Sequence, residues 1–143
     1  MAHSASALPS EMDVLAAVCL LLVRRPEERP TVGEVSALLG EPERLFRERW
    51  RLAGREPLAG LIAYGCSLRA AWLVHARGEK CSSATRDAGH TRPWSLNRQL
   101  LRRLGVRLCD CRGRLPEGFD WNRLCRTYLE LEGGMREGVE ISA

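Results

Sequence analysis

With 143 residues, the chain is long enough to bury one core without disulfide staples. Its longest apolar run, Val14 to Val23, falls short of the roughly 18 residues that a membrane span requires, and Met1 to Leu15 lacks the basic start and small-residue cleavage site of a secretory signal, so a cytoplasmic protein with no membrane partner is expected. The net charge of +4 is mild, and where the charges lie says more than their sum.

Residues 1–9 are small and polar and are expected to form a flexible N-terminus. A first helix starts at Ser10, whose hydroxyl caps it while Asp13 answers three residues on, and runs to about Arg25 before Pro26. Met12, Leu15, Cys19, Leu22 and Val23 share one side of it, and its other apolar residues predict cover on several faces. Thr31 and Glu34 form a second capping box, Val35, Leu38 and Leu39 supply a short apolar face, and Gly40 ends that helix. Another begins near Pro42. In it Phe46 and Trp50 point inward with Leu45 nearby, while Arg44, Arg47, Glu48 and Arg51 lie toward solvent until Gly54 stops the helix. Residues 10–56 thus read as a helix-turn-helix unit.

A linker helix is expected over 57–78 despite Gly60 and Gly65, each of which costs about 1 kcal/mol of propensity; glycines in such a helix often mark close packing. Ser82 to Ala88 gives a two-turn helix closed by Gly89. Pro93 then opens a helix that Gly105 ends. Leu96, Leu100 and Leu104 recur every four residues and face inward, while Trp94, Ser95, Arg98, Arg102 and Arg103 project from the other faces. A final amphipathic segment, Asp120 to Leu131, turns Trp121, Leu124, Cys125, Tyr128 and Leu131 toward the body. It completes a second unit over 79–131, followed by a flexible tail over 132–143. The expected fold is all-α: two helix-turn-helix subdomains joined by a long linker helix, about seven helices in all.

Lys80 is the only lysine, so nearly every cation is a guanidinium, which binds phosphate and guanine edges in a bidentate way. Arg98, Arg102, Arg103, Arg107, Arg112 and Arg114 face the single acid Asp110 in that stretch. A genome rich in G and C encodes arginine by default and accounts for part of this bias. Cys19, Cys66, Cys81 and Cys125 fall at apolar positions of helical patterns, where cysteine acts as a small hydrophobe. Cys109 and Cys111 form a CxC without the further ligand pair of a zinc site. His3, His75 and His90 are isolated, and no phosphate loop, paired-carboxylate site or nucleophile motif is present, so no enzyme and no cofactor is expected.

The two halves repeat one another: Gly40, Phe46, Trp50 and Gly54 correspond to Gly89, Leu96, Leu100 and Gly105. Over roughly Glu11 to Arg112 these residues resemble the DNA-binding domain of the AraC/XylS family of bacterial transcription regulators. The strongest likeness is Gly89, His90, Thr91, Arg92, Pro93, Leu96, Arg98, Leu100, Leu104 and Gly105; in the first half Pro30, Thr31, Val35, Leu39, Gly40, Gly54 and Pro57 are similar to the family pattern. His90 stands where the family usually has phenylalanine, leucines replace other phenylalanines, and Ala84 and Thr85 replace an isoleucine-alanine pair, which thins the second core.

The resemblance implies a stand-alone activator without a small-molecule sensor domain, with double-stranded DNA as partner and RNA polymerase or a regulatory protein as a further one. Two recognition helices would enter successive major grooves about 34 Å apart. Trp94, Ser95 and Arg98 would touch bases and Arg92, Arg102 and Arg103 phosphates; Arg44 and Arg47 take the reading positions of the first unit and Arg51 a phosphate position. Glu41, Glu43 and Glu48 lie close to this face, and Glu48 is expected to order Arg44 or Arg51 by helical pairing. These acids, with the thin second core, also fit an alternative: an AraC-like protein-interaction adaptor or anti-activator that has lost DNA binding. A thiol-responsive regulator acting through Cys109 and Cys111 is a third reading.

Overall fold

The computed structural model describes residues 7–90 and 92–142, without the side chains of Pro93 and of residues 134–142. Residues 1–6, with most of the expected N-terminal segment and His3, lie outside it, as do Thr91 and Ala143. The described residues form seven α-helices and one 3-10 turn, with no strand, as the periodicities predicted: α1 (Glu11–Arg24), α2 (Val32–Leu38), α3 (Glu43–Leu52), α4 (Leu58–Arg77), α5 (Cys81–Asp87), α6 (Pro93–Leu104), the turn Leu108–Arg112, and α7 (Trp121–Ser142).

Both capping boxes form. The Ser10 hydroxyl accepts from the Asp13 N–H at 3.0 Å while the Ser10 N–H donates to the Asp13 carboxylate at 2.8 Å. Thr31 and Glu34 repeat the exchange at the start of α2. Each box satisfies donors that a helix start otherwise leaves unpaired.

Two apolar clusters share α4. The first joins Val14 to Val18 of α1, Val35 of α2, Phe46 and Trp50 of α3 and Leu61 to Leu68 of α4. The second joins Ala70, Ala71, Leu73 and Val74 of α4 to Ala84 and Ala88 from the α5 region, Leu96 and Leu100 of α6, and Leu108 and Cys111 of the 3-10 turn. Each half of the linker helix is therefore the central wall of one unit. Leu58–Arg77 is long and apolar enough to cross a membrane by length and composition, but 72% of that window is buried inside the protein, where the two clusters use its apolar surface.

Helix α1 packs against α4 on one side and α7 on the other, which is why Val14 through Leu20 and Leu22 are all buried. Val23, placed on the inward side by its spacing, is instead exposed at the end of the helix. The C-terminal helix packs on α1 and contributes Leu124 to the first cluster; sequence adjacency had assigned it to the second unit. Its backbone continues through Gly133 to Ser142, past the stop expected there.

Candidate nucleic-acid interface

In the first unit, the inner face of α3 is fixed by two rings. Phe46 and Trp50 lie 5.4 Å apart, both buried, and the Trp50 indole donates to the Glu56 carbonyl at 2.7 Å. With that face pinned to the core, Arg44, Arg47 and Arg51 project into solvent. They share the surface with Glu43 and Glu48. The pairing differs from expectation: Glu43, one turn before Arg47, binds it through Nε and a terminal nitrogen at 2.9 Å each, and Glu48 forms no ion pair among the described residues. Glu41 is taken by Arg49 at 3.1 Å. Leu45, placed near the inward pair by its position, is half exposed.

In the second unit, Ala84, Thr85, Leu96 and Leu100 are buried, and Leu104 is partly so. The buried Thr85 hydroxyl is satisfied within its own helix, donating to the Cys81 carbonyl at 2.7 Å. Gly89 turns the chain between α5 and α6 with φ of +76°, and a Cβ there would meet the Arg29 backbone at 2.9 Å. Both the left-handed conformation and the close approach require glycine. The segment after α1 is held to this turn by a further bond, from the Glu27 N–H to the Asp87 carbonyl at 3.1 Å.

On the outer face of α6, Arg92, Trp94, Arg98 and Arg102 are exposed. Trp94 is 65% exposed, so it does not cover apolar surface; the Arg98 guanidinium lies over its ring, 5.5 Å from the centroid. Ser95 is half-buried beside them. Among the described residues none of these three arginines is in an ion pair, which leaves a uniformly positive surface with an aromatic plane in it.

Arg103 belongs elsewhere. Its guanidinium donates to both carboxylate oxygens of Glu56, one at 2.9 Å and the other at closer contact, donates through Nε to the Gln99 side-chain oxygen at 3.2 Å, and sits 4.3 Å from the Tyr64 ring centroid. This corrects the phosphate-contact expectation for Arg103: its side chain is only 18% exposed and ties the end of α6 to the turn between α3 and α4. Asn97 was not singled out by its sequence position either. Its side-chain oxygen accepts from the Leu108 N–H at 2.8 Å, anchoring the 3-10 turn on α6.

The thiols divide differently from their sequence pattern. Cys19 and Cys66 are buried as expected, whereas Cys125 is exposed and Cys81 intermediate. Of the CxC pair, Cys109 is exposed and Cys111 buried. Burial pushes the Cys111 thiol up to about 11, with Asp110 and Cys109 adding to the effect, so at neutral pH it is a protonated, weakly nucleophilic group. No cluster of three or more metal-ligating side chains is found among the described residues. His90 is buried at 6% exposure; burial, and secondarily the charge of Arg29, pull it down to about 4.

This arrangement offers an array of exposed guanidiniums and one flat aromatic surface, which suits a polyanion. No family model matches the chain, and neither a curated protein nor a solved structure does.

Proposed function

We propose that this chain is a sequence-specific, DNA-binding transcription regulator of the AraC/XylS kind, probing successive major grooves with α3 and α6. The observation that carries the reading is the outer face of α6, where Arg92, Arg98 and Arg102 stand without acidic partners around exposed Trp94. A helix whose inner face is anchored by Leu96 and Leu100 presents such side chains in a fixed register, as base and phosphate contacts require. The first unit supports the reading less, since Glu43 occupies Arg47.

Selection of binding sites from random duplexes with the purified protein, followed by titration at several salt concentrations, tests it. A preferred sequence is expected, with log affinity falling linearly with log salt. Arg98→Ala should weaken the preferred site by about 1 to 3 kcal/mol and relax discrimination at one base pair. Arg102→Ala should weaken all sequences alike. A flat salt response with no preferred sequence would overturn the proposal and favour a protein-interaction adaptor, a reading that rests on exposed Leu45 and Leu52 beside the glutamates of α3.

A further inference from the structure

Away from α3 and α6, helices α1, α4 and α7 enclose a cleft of about 400 Å³. Its walls are largely apolar: Cys19 and Leu68 lie among them, with the Trp72 and Tyr128 rings. This volume is within the range of small-molecule sites, which combine apolar walls with a few polar groups that fix orientation. The charged groups lining it are two guanidiniums from one helix, Arg69 and Arg77.

Arg69 is the informative one. It is partly buried, yet among the described residues it makes no hydrogen bond and no ion pair. Burial lowers its affinity for a proton; Cys19, Tyr128 and Glu79 act the other way without bonding to it, and Arg77 lowers it further. The Tyr128 hydroxyl is itself engaged by Glu132 at 3.3 Å. A guanidinium partly withdrawn from water, beside a second one and with no carboxylate bonded to it, keeps donors free that an anion can complete. A carboxylate matches the guanidinium fork in a bidentate way. Arg77 is exposed at the rim while Arg69 is the partly buried guanidinium among the apolar walls, so a single negative charge with a hydrocarbon or aromatic body fits best.

We propose that this cleft binds a small amphipathic monocarboxylate, with its carboxylate on Arg69 and its apolar body between Leu68, Trp72 and Leu124. The site shares no lining residue with the outer faces of α3 and α6, so its occupancy can be measured without DNA.

Isothermal titration calorimetry of the full chain with decanoate, kept below its micellar concentration, is the test. Saturable binding of one equivalent is expected, at least tenfold tighter than that of decanol, which has the same chain and no charge. Arg69→Met, which keeps the apolar stem, should weaken decanoate at least tenfold. Cys125→Trp, a substitution at an exposed position of α7 that fills the cleft, should abolish binding even if the Arg69 variant fails to fold. Absence of saturable binding to the wild-type chain overturns the proposal. So does decanol binding as tightly as decanoate, or a folded Arg69→Met that binds decanoate unchanged.

Discussion

His90 is a residue whose charge the fold resists. Its ring is buried, its Nε2 has no partner, and the Arg29 guanidinium adds repulsion, so it stays neutral down to about 4 instead of the ordinary 6.5. Between those two values the unfolded chain takes up a proton that the folded chain refuses. The contribution is therefore fully present above 6.5, is lost progressively as pH falls toward 4, and changes no further below that. Urea unfolding across this window is expected to show a His90-dependent slope approaching about 1.4 kcal/mol per pH unit. His90→Phe should flatten that part of the profile; an unchanged slope would place its origin in other groups. The inward position of His90 was legible from the resemblance that places it at a phenylalanine position, but the role of Arg103 was not. Its partner Glu56 lies 47 residues away in sequence, and the periodicity of α6 contains no information about it.

At the scale of elements, α1 and α4 meet through a glycine. A Cβ on Gly65 would lie 2.8 Å from Val18 Cγ1 and 2.9 Å from its Cβ, positions a stiff β-branched side chain cannot vacate. Gly65→Ala is expected to destabilise the fold by about 1 to 3 kcal/mol, overriding a helix-propensity gain of about 1 kcal/mol. Gly133→Ala in α7, with nothing within 4 Å of the new methyl, is the contrasting case and should be neutral or slightly stabilising in thermal melts. Capping boxes, glycine stops and i, i+4 apolar pairs made α1 to α6 readable, because each is a local signal. The position of α7 was not, since its amphipathic pattern says which face is apolar and leaves open which surface that face meets. The same limit explains Cys125: it occupies a helical apolar position, but the neighbouring cleft is open there.

For the whole molecule, the two repeated units do not stand apart on a rod. Helix α4 is buried in both clusters, Leu104 and Trp121 touch both, and the Arg103–Glu56 pair crosses from one unit to the other. Differential scanning calorimetry is expected to give one unfolding transition with equal calorimetric and van't Hoff enthalpies. Two resolved peaks would mean that the halves melt independently. The internal repeat made the two-unit plan visible in the sequence, and their fusion became visible only through contacts between distant residues.

The segment that leaves α1 gives this fusion a further meaning. Glu27, in a left-handed conformation, bonds to the Asp87 carbonyl and pairs with Arg86 at 3.5 Å, while the backbone of Arg29 lies against Gly89. The stretch from Arg25 to Thr31 is thus a ruler laid between the entrance to α2 and the entrance to α6. A residue added there must shift the start of α2 against the start of α6, so the spacing of the two units is encoded as much in that short connection as in the long helix that joins them.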